Sequence, residues 1–383
     1  MMKRNSVSRF SLTRFVAVAL KEFIQMRRDR LTFAMMVGVP LMQLGLFGFA
    51  INTDPKHLPT AVINADQSEF SRTFLAAMKN SDYFELVQVT KSEAEGTRLL
   101  SAGTVQFVVN IPLGFSRDLL RAEHPALLVE ADASDPSATS NAIAALNELA
   151  RSALTRDLKG SAQAAAGGSN AFDLIIHRRY NPEGITQYNI VPGLMGVILT
   201  MTLIMMTGLA MTRERERGTM EHLLAMPVHP LEVMLGKIVP YILVGYIQVV
   251  LILVISTQVF QVPIQGSLLF LLSCVLLFIA ANLSVGMLFS TVARNQMQAM
   301  QMTFFFFLPS ILLSGFMFPF RGMPVWAQRL GEILPLTHFL RLVRGIMLKG
   351  NGLMEAIPNL WPLALFMLVV IVLGLKRFKR TLD

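Results

Sequence analysis

Residues 213–224, Arg213-Glu-Arg-Glu-Arg-Gly-Thr-Met-Glu-His-Leu-Leu224, bring Arg213, Arg215 and Arg217 together with Glu214, Glu216 and Glu221. Carboxylates interleaved with guanidinium groups favour ion pairing over acid–base catalysis. The run also carries an apolar face, Met220, Leu223 and Leu224, so it reads as a surface gripped by another protein. Enzyme chemistry has little support elsewhere. The six histidines (57, 124, 177, 222, 229 and 338) lack metal-ligand spacing. His222 and His229 come nearest, but they are seven residues apart with Pro227 between them. Gly-x-x-x-x-Gly-Lys-Ser/Thr, His-Glu-x-x-His and Gly-x-Ser-x-Gly are all missing, so the sequence offers no phosphate-cradling loop of its own. The lone Cys274 sits in an apolar stretch and reads as a core filler; it cannot build a disulfide framework.

The elements flanking the charged run are apolar. The 383-residue chain is 53% hydrophobic and only 15% charged, with mean hydropathy +0.52, which is too apolar for a soluble globule. Six runs approach the ~20 residues that cross a ~30 Å hydrocarbon core: 31–51, 189–211, 238–260, 267–293, 300–320 and 359–375. None holds an Asp, Glu, Lys or Arg in its interior. Gln43, Gln248, Gln258 and Asn282 are polar exceptions, read as interhelical hydrogen bonders or as lining for a passing substrate. Phe304-Phe-Phe-Phe307 reads as a lipid-facing aromatic run or, through Phe305, as a gate or a substrate contact. The first run is too long for a cleaved signal and reads as an uncleaved anchor.

Charge sets the orientation. Residues 1–30 hold eight Lys and Arg, and the 212–237 turn and the C-terminal tail hold four each. The positive-inside rule therefore puts both termini in the cytoplasm. Five basic residues in 321–358 count against this bias but are spread along an amphipathic segment. Net charge +9 is not a nucleic-acid signal, because the positive charge clusters at membrane ends while residues 52–188 carry more acids than bases.

Residues 8–30 predict an amphipathic helix on the cytoplasmic membrane surface, with Leu12, Phe15, Val16, Ala19, Leu20 and Phe23 on one face. Residues 52–188 form an inserted domain. Strands at 60–63, 83–89, 105–111 and 126–131 alternate with helices at 68–79, 92–101, 115–122 and 136–159, an α/β pattern. Residues 321–350 predict helices dipping into the outer interface, broken at Pro324 and Pro335.

Taken in order, several of these features carry a resemblance. They are Lys21-Glu22-Phe23 and Arg27-Arg28-Asp29-Arg30, a first span ending Pro40 to Ala50, the insert, Tyr188-Asn-Ile-Val-Pro-Gly-Leu194, the 213–224 run, Gly236-Lys237-Ile-Val-Pro240, and Leu334-Pro-Leu-Thr-His-Phe-Leu-Arg-Leu-Val-Arg-Gly345. Over essentially its whole length the chain resembles the ABC-2 type transporter permeases, in the subgroup with a large periplasmic domain between spans one and two. The resemblance implies a membrane all-α, six-span, type V exporter-like permease of the bacterial inner membrane carrying an extracytoplasmic α/β domain. It implies multidrug or other small-molecule efflux and no cofactor in this chain, ATP and Mg2+ belonging to a separate ATPase subunit. It implies a second, identical or paralogous permease, a periplasmic membrane-fusion adaptor, and lipid as surroundings. Arg213, Glu214, Glu216, Gly218, Thr219, Glu221 and Leu224 would form the ATPase-coupling interface. Gln43, Gln248, Asn282 and Phe305 are candidates for the translocation path. The alternative is a subunit that uses ATP hydrolysis to move its periplasmic domain without passing substrate through the spans. A membrane-anchored receptor would not need the 213–224 turn.

Overall fold

A computed structural model describes residues 55–90, 92–154, 157–158, 171–216 and 230–377. The expected helix 8–30 and span 31–51 lie outside these residues.

The insert builds a five-stranded sheet: β1 (Leu58–Asn64), β2 (Phe84–Thr90), β3 (Phe107–Ile111), β4 (Ala126–Asp132) and β5 (Asp173–Arg179). The spatial order is β2-β1-β3-β4-β5, with β3 and β4 antiparallel and every other pair parallel. Parallel neighbours need crossovers, and helices α1 (Glu69–Asn80), α2 (Glu93–Ser101), α3 (Phe115–Leu120) and α4 (Pro136–Ser152) supply connections between successive strands. Local chemistry sets their starts. Ser68 Oγ accepts the Ser71 amide (3.2 Å), and Asp135 Oδ1 accepts the Ser137 amide (3.2 Å) ahead of Pro136 in the first turn. The aromatic core is Phe74, Phe84, Phe107, Phe115 and Phe172, with Phe74 and Phe115 both edge-on to Phe172. All members of this core lie between 58 and 172.

The four expected strands and four expected helices are present. Helix α4 ends at Ser152 and gives way to turns, short of the expected 159. Strand β5 is an addition to the sequence reading. It is an edge strand whose residues are only partly covered, so its apolar alternation is weak.

The apolar part contains α5 (Thr186–Glu216), α6 (Pro230–Gln258), α7 (Leu268–Val292), α8 (Gln296–Leu313), the short α9 (Val325–Gly331), α10 (Pro335–Lys349) and α11 (Leu353–Arg377). Among the described residues, four stretches are long and apolar enough to cross a membrane: Thr186–Arg213, Pro240–Gln258, Leu268–Val292 and Leu353–Arg377. They correspond to the second, third, fourth and sixth expected spans. The fifth, 300–320, is instead the 18-residue α8, which starts at Gln296 and stops at Leu313. Gln296, Gln298 and Gln301 make its first half polar, and Gly315, at φ +83°, turns the chain before Pro319. Within the expected 212–237 turn, α5 continues through Glu216 and α6 begins at Pro230.

Helix α7 is the hub, with Cys274, Phe278, Ile279, Asn282 and Leu283 all buried. Close approach depends on glycine. A Cβ on Gly286 would stand 2.7 Å from the Ile204 carbonyl of α5, so only glycine lets α5 and α7 meet there. A Cβ on Gly196 would fall 2.7 Å from Leu336 and 2.8 Å from Phe339 of α10. Helix α10 is therefore drawn into the protein rather than laid along an interface: Leu336, Phe339, Val343, Ile346 and Met347 are buried, and Phe339 stacks on Phe278 at 4.0 Å. This corrects the surface position expected for that half of 321–350. The other half keeps an open apolar face, with Val325, Trp326, Leu330 and Ile333 exposed. Pro324 and Pro335 act as anticipated, standing just before α9 and at the first position of α10.

Two outcomes test this packing. Gly286→Val should destabilise the helical part by about 1–3 kcal/mol, the usual cost of overpacking, read as a lower unfolding midpoint in detergent. Residues 52–188 expressed alone should unfold cooperatively with α/β circular dichroism, because their core is self-contained; a disordered spectrum would refute this.

Candidate functional site

The charged end of α5 is built against the start of α8. Asn295 caps α8 by accepting the Gln298 amide on Oδ1 (2.8 Å), and Gln298 Oε1 reaches back to the Arg294 amide (2.8 Å). Gln296, in the first turn, donates its backbone N–H to Glu216 Oε1 (2.8 Å) and its side-chain Nε2 to Glu216 Oε2. The carboxylate thus sits at the positive end of a helix. The Gln296 side-chain bond, then its backbone bond, holds the Glu216 carboxyl below the usual carboxylate range. Arg213 Nε contributes a longer contact to Gln296 Oε1 (3.4 Å). Both Arg213 and Glu216 stay exposed. Sequence reasoning gives Glu216 to a docking surface; the structure also makes it the tie between α5 and α8. Asn295, Gln296 and Gln298 are missed by that reasoning, although Asn-x-x-Gln at a helix start is a readable cap. Glu214 lies within α5. Gly218, Thr219, Glu221 and Leu224 lie outside the described residues, as does Gln43.

The candidates for a path separate. Gln248 of α6 accepts the Thr202 hydroxyl of α5 on Oε1 at 3.0 Å, an interhelical bond. Asn282 is fully buried in α7; its Nδ2 donates to the Phe278 carbonyl (2.9 Å), while Oδ1 has no partner among the described residues. Phe305 is exposed on α8. None of these three lines the roughly 540 Å³ cavity between the sheet and the helices.

At the other end of α5 the sheet is fastened to α10. Lys349 pairs with Asp132 at the end of β4, and both side chains are 9% exposed. Lys349 also donates to the Leu100 carbonyl (3.4 Å) and lies 5.2 Å from the Tyr180 ring centroid. Asn351 donates to the Ser101 carbonyl (3.1 Å). Asp132 keeps its second oxygen on the Ser134 amide (3.1 Å). Burial, then the Asp132 charge, pushes the Tyr180 hydroxyl up to about 12, so it stays protonated at physiological pH. Breaking a buried pair by removing one partner typically costs about 3–5 kcal/mol. Two of the five basic residues that count against the charge bias are thereby explained: Lys349 pairs with Asp132, and Arg341 binds both oxygens of Glu332 (3.1 and 2.7 Å). A third fastening joins α10 to α11. His338 Nε2 donates to the Glu332 carbonyl (2.8 Å), and Nδ1 meets the Asn359 side chain (3.2 Å).

A charged corner and a latched domain sit at opposite ends of one long helix. Known proteins are similar to this chain in sequence along most of its length. The sequence profile described as ABC-2 family transporter protein matches residues 30–376. The chain is 32% identical over 379 residues to a probable multidrug ABC transporter permease, YbhS, of Escherichia coli, covering 97% of this chain and 98% of that one. It is 29% identical to YbhR of the same organism, also a probable multidrug ABC transporter permease, over 90% and 92% of the two chains. The similarity reaches ABC transporter G family member 20 of Dictyostelium discoideum, 25% identical over 88% of this chain and 46% of that protein. The chain belongs to the ABC-2 family of transporter permeases.

Proposed function

We propose that this chain is the membrane subunit of an ATP-driven exporter. It moves a small, hydrophobic or drug-like molecule out of the cytoplasm or the inner membrane. A separate ATPase subunit holds ATP and Mg2+, a second permease completes the path, and a periplasmic membrane-fusion adaptor meets the inserted domain. The observation that carries this reading is the near end-to-end similarity to permeases named for multidrug transport. Both termini are cytoplasmic and residues 52–188 periplasmic in this reading. The length of α5 supports that topology. Its 31 residues rise about 46 Å at ~1.5 Å each, more than a ~30 Å core. The sheet and the Glu216 corner therefore fall on opposite sides of any membrane that α5 crosses.

The ATPase docks on the segment that follows Glu216, and the Glu216–Gln296 tie spreads its push over two helices. A second reading has an observation in its favour. The buried Lys349–Asp132 pair links α10 to the sheet, which suits a subunit whose task is to move the domain without passing substrate between the spans.

Three measurements test these statements. Glu216→Lys with Glu221→Lys should abolish permease-stimulated ATP hydrolysis in the reconstituted complex while membrane insertion persists, a loss of about 2 kcal/mol or more in docking; unchanged stimulation sinks the coupling role. Glu216→Gln alone, which keeps an acceptor for Gln296, should lower the unfolding midpoint less than Glu216→Lys. Lys349→Asp should uncouple hydrolysis from export of a fluorescent drug in vesicles, and Lys349→Asp with Asp132→Lys should restore part of it. If the single change leaves export untouched, the latch carries no motion.

A further inference from the structure

We propose that the cavity between the sheet domain and helices α10 and α11 is an oxyanion site that receives the phosphate or carboxylate group of an amphiphile. The cavity holds about 540 Å³, within the range of roughly 300–1,000 Å³ common for small-molecule sites. Its lining has five cationic side chains, Arg98, Arg321, Arg341, Arg344 and Lys349, against three carboxylates, Asp132, Asp135 and Glu355. Two of the cations are already spent, Arg341 on Glu332 and Lys349 on Asp132. The carboxylates are engaged as well. Asp132 holds Lys349 and the Ser134 amide, Asp135 holds Ser137 and Asn189, and Glu355 accepts the Gly352 amide. Arg98, Arg321 and Arg344 have no carboxylate partner among the described residues.

Arg344 is the decisive group. Its Nη1 donates to the Gly315 carbonyl (3.1 Å), but Nε and Nη2 are buried with no hydrogen-bond partner among the described residues. Those two nitrogens form the guanidinium edge that grips an oxyanion with two parallel N–H bonds. Leaving a buried cation so poorly served is costly, and a bound anion would relieve that cost. Both nitrogens are closed off from water, so the occupied state requires the side chain to swing toward the open volume it borders. Arg98 and Arg321, both exposed, draw the anion to the entrance. Phe320, Leu340 and Met354 give the same cavity an apolar wall, which suits an amphiphile better than a bare ion.

The site does not rest on the transport reading, and its test needs no transport. Full-length protein in detergent is titrated with phosphatidylglycerol, with phosphatidylcholine and, separately, with inorganic phosphate. Native mass spectrometry reads lipid retention, and the unfolding midpoint reads phosphate binding. Phosphatidylglycerol should be retained at least tenfold over phosphatidylcholine, and Arg98→Gln with Arg321→Gln should weaken that retention about tenfold at an unchanged midpoint. Arg344→Gln should abolish it, and Arg344→Lys, which keeps the charge but loses the fork, should rescue it only in part. If inorganic phosphate also raises the midpoint, and the same substitutions remove the effect, the site accepts a free anion as well. Equal retention of the two lipids without a phosphate effect overturns the proposal. So does full phosphatidylglycerol retention by the Arg98, Arg321 double variant together with Arg344→Gln.

Discussion

Hydrocarbon offers no hydrogen-bond partner, so each polar group on the long apolar helices has to find one within the chain. Most do so locally. The hydroxyls of Thr200, Thr207, Thr212, Ser284, Thr303 and Ser310 each donate to the carbonyl four residues earlier in the same helix, at 2.7–2.9 Å. With these groups served from their own helix, helices can approach through glycines and small side chains. Gly286 against the Ile204 carbonyl and Gly196 against Phe339 are the result. The close α5–α7–α10 packing gives α5 a fixed seat, and both candidate sites are built on extensions of α5. One end carries the Glu216 tie to α8; the other runs back through Asn181 and Tyr180 into β5.

Long apolar periodicity made the spans readable, because length and hydropathy are properties of the segment itself. Of the five expected spans that fall on described residues, four appear within a few residues of their expected limits at most ends. The misjudged parts depend on neighbours. Helix α10 has the amphipathic pattern of a surface helix, and nothing in that pattern distinguishes lipid from the flank of α5. The glycine at 196 decides, and it lies more than a hundred residues away. Strand β5 was silent because an edge strand with one poorly covered face has little reason to alternate.

The site was legible in outline only. The mixed-charge run at 213–224 announced itself, since five consecutive charges cannot enter hydrocarbon. That Glu216 would cap another helix was not visible, because the helix it caps begins 80 residues downstream in sequence. Lys349 and Asp132 are 217 residues apart and belong to segments of different composition. The only trace was an anomaly: too many cations in a loop where the charge bias asked for few. For Lys349 that anomaly marked a cation paired inside the protein, a different cause from topology.

Asn181 receives the Ile185 amide on its Oδ1 and donates Nδ2 to the Ile185 carbonyl, closing a small ring between β5 and α5. That ring holds the sheet domain to α5, while the Lys349–Asp132 pair and the Asn351–Ser101 bond hold it to the end of α10 and the turn after it. The two fastenings belong to different helices, so any shift of α5 against α10 would load the seat of the sheet at one of them.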